Sequence, residues 1–387
     1  MNSKVRSLKA YPQDRLNRAK EEAKAKGLKI YDFGTGDPKE PTPPFIREAL
    51  IKAVPEVSQY PTVKGRKDLR ETIARWFEKR FGVSLNPERE VIPTSGSKEA
   101  IFHFPLVFID IDSERRKVIY GMPAYPVYER GTLFAGGETV PVRLKYEEQF
   151  LLRLDKLPSS LLEETAIVWI NYPHNPTGAV ASLSYLEEVY GICREYGIIL
   201  CSDECYTEIY FESKPPSLLQ VGKEGAVVFH SLSKRSGMTG YRSGFVAGDE
   251  KIVSTYLKWR SSFGVASQDF VQQAAKAAWE DEKHVEERRG IFRRKRDVFA
   301  ELFKELGLEF EVPEATFYFW VKLPEGVSGE EYAVHLLNYG IVVSPGEFFG
   351  EGGEGFFRIA LVPTVEECKE AAVLWKKAHE DFMRKRN

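Results

Sequence analysis

The chain has 387 residues, of which 43% are hydrophobic and 29% charged, and its 55 Lys and Arg against 57 Asp and Glu give a formal net charge of −2. This balance argues against a dedicated nucleic-acid-binding protein, which would show a strongly basic surface. No apolar run approaches the roughly 18 residues of a membrane span, and the N-terminal MNSKVRSLKAYPQ lacks the apolar stretch of a signal peptide. We therefore expect a soluble, cytoplasmic protein of about two domains.

The N-terminal quarter of the chain alternates between helical patterns and a rigid loop. Residues 12–29 predict a polar amphipathic helix. The stretch FGTGDPKEPTPP (33–44) is too rich in Gly and Pro for a helix and predicts a defined loop. Helical periodicity resumes over residues 66–81, where apolar side chains such as Leu69 and Ile73 share one face.

Short apolar runs separated by helical patterns follow between residues 91 and 248. They are 91–94, 117–121, 139–144, 166–170, 197–202, 226–230 and 244–248. Several are almost continuously apolar, as in strands that are buried on both faces. Alternation of strands with helices such as 182–197 predicts an α/β fold with a mostly parallel seven-stranded sheet.

The chain beyond residue 250 is mainly helical and ends in a mixture of strands and helices. Residues 282–305 include the basic run ERRGIFRRKRDVF, in which interleaved acids and helical periodicity favour a solvated helix face over a site for an acidic partner. The runs TFYFWVKL, GIVVSPG and FFRIALV predict strands, and 329–338 and 365–384 predict helices. We expect a large domain over 49–280 and a small α+β domain built from 1–48 and 281–387.

The cysteines and histidines do not form a metal-binding pattern. Cys193, Cys201, Cys205 and Cys368 lack C-x-x-C spacing, and the six histidines lack ligand spacing such as H-E-x-x-H. We expect buried, reduced thiols and no metal site.

Four polar loops follow predicted strands, and in open α/β sheets ligands bind at such loops. Asn175 lies in NYPHNPTGAV, and Asp203 follows GIILCS directly. An acid at the end of a buried strand needs a partner; a structural carboxylate and a carboxylate for a protonated ligand nitrogen both remain open. Lys98 in SGSKEA lies at the start of a helix whose free N–H groups suit an anion, although a lysine in such a motif is more often a surface residue than a ligand.

The third of these loops, SLSKRSGMTGYRSG, is the richest in reactive groups. Ser231, Ser233 and Arg242 suit a phosphate, which Arg can bind bidentately. Lys234 lies between them, where neighbouring cations lower the pKa of a lysine and favour nucleophilic reactivity. A phosphate site, a carboxylate for a ring nitrogen and a nucleophilic lysine together match pyridoxal 5′-phosphate.

At this point the sequence resembles the class I/II aminotransferases, which have the fold type I architecture and depend on pyridoxal phosphate. The motifs are NPTG, SDECY, SLSKxxxxxGxRxG and FRIAL, with 28 positions from Asn175 to Asp203 and 31 from Asp203 to Lys234. Their order and spacing make the resemblance specific, and it covers nearly the whole chain. It implies a ping-pong transfer of an amino group between an amino acid, for which we expect glutamate, and a 2-keto acid.

The resemblance implies a role for each matching position. Lys234 matches the lysine that binds the cofactor covalently and moves the substrate proton, and Asp203 matches the acid that keeps the pyridine nitrogen protonated. Tyr206 and Asn175 match the pair that hydrogen-bonds the 3-oxygen of the ring. The other implied cofactor-binding positions are Tyr125, Ser231, Ser233, Arg242, Tyr60 and the backbone of Gly96, Ser97 and Lys98.

The resemblance also implies contacts with the substrate, with the cofactor ring and with a second subunit. Arg358 matches the arginine that binds the substrate carboxylate, beside the Gly36 backbone and Asn175; a structural salt bridge is the alternative. Tyr125 matches a ring that stacks on the cofactor, where many relatives have Trp. Tyr60 matches a tyrosine that reaches the phosphate of the neighbouring subunit, which implies a homodimer with shared active sites.

Finer resemblance, above all VVFHSLSKRSGMTGYRSGFVAGD, points to the succinyldiaminopimelate aminotransferases of lysine biosynthesis. The LL-diaminopimelate, aspartate and aromatic aminotransferases remain alternatives. His174 in PHNPTG keeps a carbon–sulfur β-lyase open, because related lyases share it. A regulator built on this domain would carry an N-terminal DNA-binding domain, and only about 30 residues precede GTGDP. Arg15, Lys98 or partner residues near 260–267 are candidates for recognising the distal end of the substrate.

Overall fold

The computed structural model describes residues 4, 6 and 12–386, except for the side chains of 12–16. The strands are β1 Tyr31–Asp32, β2 Val91–Thr94, β3 Lys117–Met122, β4 Glu138–Arg143, β5 Thr165–Asn171, β6 Ile199–Asp203, β7 Ala226–Ser231, β8 Gly244–Gly248, β9 Glu309–Phe310, β10 Tyr318–Lys322, β11 Ile341–Val342, β12 Ser344–Pro345 and β13 Phe356–Ala360. Within this part of the chain, no helix is long and apolar enough to cross a membrane.

The helices lie between and after these strands. They are α1 Pro12–Ala25, α2 Pro44–Ala53, α3 Lys67–Phe81, α4 Ser97–His103, α5 Pro105–Phe108, α6 Val127–Ala135, α7 Ser159–Glu163, α8 Leu183–Glu195, α9 Leu232–Arg235, α10 Glu250–Arg260, α11 Asp269–Glu280, α12 Lys283–Glu305, α13 Gly329–Leu337 and α14 Val365–Arg386. The predicted helix over 12–29 is too long, because Gly27 takes a left-handed φ of 81° and the chain turns toward β1.

The central sheet has seven strands in the order β2-β8-β7-β6-β5-β3-β4. The pairs from β7 to β4 are parallel, while β8 runs antiparallel to both of its neighbours. All seven predicted strands are present within one or two residues, so the predicted α/β fold with a mostly parallel sheet is confirmed.

The sheet is buried on both faces, which explains the continuous apolar runs. In β5, Ile167 and Trp169 face one apolar cluster, together with α4, α6 and α10. Val168 and Ile170 face the other cluster, with α3, α8 and α11. Because successive side chains in a strand point to opposite faces, both faces of β5 must be apolar.

The C-terminal part contains a four-stranded antiparallel sheet in the order β12-β13-β10-β9, with α12 and α14 contributing to its apolar core. β1, which the sequence pattern did not predict, pairs in parallel with β11. The N-terminal segment thus joins the C-terminal part, as a small domain built from both chain ends requires. We propose to keep that two-domain division, with one refinement: its boundary at residues 48 and 49 lies inside α2, which packs on α11.

Candidate active site

A cavity of about 370 Å³ opens at the carboxyl ends of β5, β6 and β7. Thr35–Asp37, Tyr318, Ser344 and Phe348–Phe349 close its other side. Most of the predicted site residues meet here. Those that line the cavity are Gly36, Ser97, Lys98, Tyr125, Asn175, Asp203, Tyr206, Ser231, Ser233, Lys234, Arg242 and Arg358.

Lys234 extends into this cavity from the short helix α9, which follows β7 directly. Its Nζ donates a hydrogen bond to the carbonyl oxygen of Gly36. Burial lowers the pKa of Lys234 to about 8, and the positive charges of Arg358 and Arg242 act in the same direction, whereas Asp37 opposes them. A large fraction of this amine is therefore neutral near pH 8, as a nucleophile or proton acceptor must be.

Asp203 ends β6 and is 5% exposed. One carboxylate oxygen accepts a hydrogen bond of 2.7 Å from the Tyr128 hydroxyl, and the other accepts one of 3.2 Å from the backbone N–H of Cys205. Burial raises the pKa of Asp203, although the bonds from Cys205 and Tyr128 counteract this. No Lys or Arg of the described residues forms an ion pair with it, so its position suits a cationic ligand atom better than a structural salt bridge.

Arg358 lies in β13 with its guanidinium buried under the cavity. Nη1 donates to Asn175 Oδ1 at 2.8 Å, and Nη2 donates to the carbonyl oxygen of Gly34 at 2.7 Å. In the part of the chain that the structure describes, no carboxylate pairs with it, and its Nε is buried without a hydrogen-bond partner. The structural salt bridge is therefore not the explanation for this arginine.

The turn before α4, which the sequence predicts to be an anion site, is built from close approaches to the backbone. Gly96 has a φ of 84°, and a Cβ there would lie 2.5 Å from the guanidinium of Arg242. Arg242 itself takes a left-handed φ of 54° and donates to the Thr239 carbonyl at 2.8 Å. The glycine at position 96 thus allows the Arg242 side chain to pack against the turn before α4, while Ser231 and Ser233 line the same cavity.

Two sequence candidates lie elsewhere. Tyr60 is fully exposed away from the cavity, so its contact with a neighbouring subunit stays a prediction. His174 is buried, and its Nδ1 lies 2.7 Å from Thr177 Oγ1. Burial lowers its pKa to about 3. It is not among the residues that line the cavity, which weakens the β-lyase alternative. The side chain of Arg15 lies outside the described residues.

Sequence reasoning missed Tyr128, Tyr318 and Asp37. Tyr128 lies three positions after Tyr125, in the first turn of α6, and the two rings are in contact with their centroids 6.0 Å apart. Tyr318 looked like part of an apolar core strand. No group of three or more metal-ligating side chains occurs among residues 4, 6 and 12–386.

The model of the family described as aminotransferase class I and II matches residues 29–373. The chain belongs to this family. It is 40% identical to the LL-diaminopimelate aminotransferase of Aquifex aeolicus, over 96% of this chain and 97% of that protein. It is also 40% identical to LL-diaminopimelate aminotransferase 2 of Nostoc sp., over 92% and 93%.

Solved structures agree with this assignment. The substrate-bound BacF structure from Bacillus subtilis superposes with a TM-score of 0.92 at 31% identity, covering 98% of both chains. A structure named "probable N-succinyldiaminopimelate aminotransferase" from Thermus thermophilus gives a TM-score of 0.88 at 32% identity, covering 95% of this chain and all of that one.

The enzyme is an aminotransferase, and its cofactor is pyridoxal 5′-phosphate. The site fits this cofactor, because it combines a lysine of lowered pKa, a buried carboxylate without a cationic partner and an arginine against a glycine turn. When bound, pyridoxal phosphate supplies an electron-withdrawing ring that stabilises negative charge on the α-carbon of an amino acid.

Proposed function

We propose that this aminotransferase transfers an amino group between glutamate and the keto form of LL-diaminopimelate by a ping-pong mechanism. The observation that carries the proposal is the set of relatives named LL-diaminopimelate aminotransferase, which are about 40% identical over more than 90% of both chains. The sequence motifs favoured succinyldiaminopimelate instead. That substrate stays the second candidate, supported by the Thermus structure of similar fold.

The geometry supports the residue roles that the resemblance implies. In the proposed mechanism, Lys234 would bind the cofactor covalently, and its freed neutral amine would carry the proton from the substrate α-carbon to the C4′ carbon of the cofactor. Asp203 would hold a proton on the pyridine nitrogen, and Tyr206 and Asn175 would hydrogen-bond the 3-oxygen. Tyr125 would stack on the ring. The phosphate ligands are Ser231, Ser233, Arg242 and the backbone of Gly96, Ser97 and Lys98.

Substrate binding in this proposal begins at Arg358. Its guanidinium binds the α-carboxylate, and Asn175 and the backbone of Gly36 complete that subsite. A planar guanidinium matches a carboxylate bidentately, so it fixes both position and orientation. This leaves the α-carbon facing Lys234, which lies in the same cavity.

Two opposite charges of the cavity suit the distal end of LL-diaminopimelate, which carries an ammonium and a carboxylate. Lys98 lines the cavity and can bind the carboxylate, while Asp37 lies exposed at its rim and can bind the ammonium. Succinylation replaces that ammonium with a neutral amide. Asp37 therefore favours the unsuccinylated substrate over the succinylated one.

The test is a half-reaction panel on the cofactor-loaded enzyme. Glutamate, LL-diaminopimelate, its N-succinyl derivative, aspartate, phenylalanine and cystathionine are mixed separately with the enzyme, and the cofactor absorbance is followed. We expect fast responses to glutamate and LL-diaminopimelate. A response to the succinyl derivative but not to LL-diaminopimelate would make the succinyl derivative the preferred substrate. Release of pyruvate from cystathionine without a keto acid would favour the lyase.

We also propose a homodimer with shared sites. The segment from residue 51 to 60 exposes Ile51, Val54, Val57 and Tyr60, an apolar surface that a second copy can cover. The test is to mix Lys234→Ala subunits, which are inactive, with Tyr60→Phe subunits and to measure cofactor affinity. If the sites are shared, each mixed dimer contains one wild-type site. If the mixture retains only the cofactor affinity of the separate variants, Tyr60 acts within its own subunit or not at all.

A further inference from the structure

Tyr318 connects two of the proposed site residues, although it has no assigned role. It begins β10 and is 2% exposed. Its hydroxyl lies 2.8 Å from the hydroxyl of Tyr206, and its ring lies 4.4 Å from the guanidinium carbon of Arg358. Phe349 packs 4.6 Å from the same guanidinium carbon. Tyr318 thus touches both the proposed cofactor-oxygen ligand and the proposed substrate-carboxylate ligand.

We infer that Tyr318 is a positioning residue with two separable actions: its hydroxyl orients Tyr206 toward the 3-oxygen of the cofactor, and its ring orients Arg358 toward the substrate carboxylate. The inference rests on the proposed roles of Tyr206 and Arg358, and it does not depend on which diaminopimelate derivative is the substrate.

In the inferred arrangement, the hydrogen bond between the two phenols runs from Tyr318 to Tyr206. The Tyr318 hydroxyl lies against Gly36, where a Cβ would be only 2.5 Å from it, and among the described residues its hydrogen-bond partner is Tyr206. Burial raises the pKa of both phenols, so both keep their protons. In this arrangement Tyr318 donates to Tyr206, and the proton of Tyr206 is left to point into the cavity, which both hydroxyls border. Such chains strengthen the terminal donor.

The ring of Tyr318 acts on Arg358 through a different contact. Its π-face attracts the guanidinium, and with Phe349 on the same group it restricts the side chain to one orientation. In that orientation Nη1 reaches Asn175 and Nη2 reaches the Gly34 carbonyl. The strand register explains the contact, because Tyr318 pairs with Ala360, two residues from Arg358 on the adjacent strand.

Two substitutions separate these actions. Tyr318→Phe removes the hydroxyl and keeps the ring, whereas Tyr318→Leu removes both. Tyr332→Phe is the matched control, since it removes another buried hydroxyl, which contacts Trp375 and His379 away from the cavity. Circular dichroism and thermal midpoints of all three variants establish that each is folded before binding is compared.

Two readouts follow, besides turnover. The first is the pKa of the lysine-bound cofactor, read from its absorbance. A weaker donor to the 3-oxygen raises this pKa, by about half a unit in Tyr318→Phe. The second is the dissociation constant of maleate, an inert dicarboxylate. It should stay within about twofold in Tyr318→Phe and rise about 30-fold in Tyr318→Leu, as expected for a desolvated cation–π contact.

The outcomes decide between the inference and its alternatives. An unchanged cofactor pKa in Tyr318→Phe overturns the action of the hydroxyl, and unchanged maleate binding in folded Tyr318→Leu overturns the action of the ring. Neither readout uses diaminopimelate. A failed substrate panel together with both expected shifts would thus reject the proposed substrate and retain the role of Tyr318.

Discussion

Tyr128→Phe is the substitution that most directly tests how the fold controls Asp203. The wild-type carboxylate is buried, and the Tyr128 hydroxyl donates to it at 2.7 Å. A hydrogen bond to a charged group contributes about 1.5–3 kcal/mol. Because one pKa unit corresponds to about 1.4 kcal/mol, losing this bond should raise the pKa of Asp203 by about 1 to 2 units. A smaller share of Asp203 would then be ionised at any given pH, which would weaken its interaction with the ring nitrogen.

The assay is carbon NMR of cofactor-free protein labelled at the aspartate carboxyl carbons, with Asp203→Asn identifying the signal. Tyr120→Phe is the matched control, since Tyr120 is a buried tyrosine that packs on Tyr128 and is not a hydrogen-bond partner of Asp203. We expect the pKa of Asp203 to rise in Tyr128→Phe only. Equal titration curves in wild type and Tyr128→Phe would refute the reasoning, because the phenol would then contribute nothing to the carboxylate.

Three further predictions use the pKa and contacts of single residues. Burial lowers the pKa of Lys234 to about 8, so the rate of cofactor attachment to the cofactor-free chain should rise with pH and level off above about 8, as measured by stopped-flow absorbance; a midpoint near 10.5 would contradict this. Arg358→Gln should raise KM for glutamate about 10- to 100-fold with a smaller change in kcat, and an unchanged KM would remove Arg358 from carboxylate binding. The pKa of His174 is lowered to about 3, so its contribution to stability is complete above about pH 6.5 and is lost as pH falls toward 3. The free energy of unfolding, measured with urea at pH 7 and at pH 5, should therefore decrease between these two pH values by about 2 kcal/mol less in His174→Asn than in wild type. Equal decreases in the two proteins would mean that this histidine is not held neutral.

The sequence could predict the central sheet and most of the cavity for a local reason. Asn175 lies in the loop after β5, Asp203 ends β6, and Lys234 lies in the short helix that follows β7. Parallel strands place their carboxyl ends at the same edge, so residues separated by about 30 positions in the chain meet there. Short sequence segments are therefore enough to predict both the strands and the loops that follow them.

Contacts made by other side chains depend on packing between distant segments. Tyr318 lies in a strand whose apolar pattern gives no sign that its hydroxyl meets Tyr206, 112 positions earlier. Tyr128 reaches Asp203 across 75 positions, because α6 packs over the end of β6. Hydrophobic periodicity shows which face of an element is buried, but it does not show which buried polar groups will be neighbours.

The charges of the cavity explain why the near-zero net charge gave no indication of the active site. Lys234, Arg242 and Arg358 line one cavity, and among residues 4, 6 and 12–386 none of them forms an ion pair with a carboxylate. Asp203 likewise has no cationic side-chain partner there, even though burial disfavours its charge. Unpaired charges in a partly buried cavity are unfavourable unless a ligand completes them. In the proposed mechanism a phosphate, a carboxylate and a protonated ring nitrogen complete the charges of Arg242, Arg358 and Asp203, and Lys234 attaches to the cofactor, so the selectivity of the site follows from where the charges lie and not from their sum.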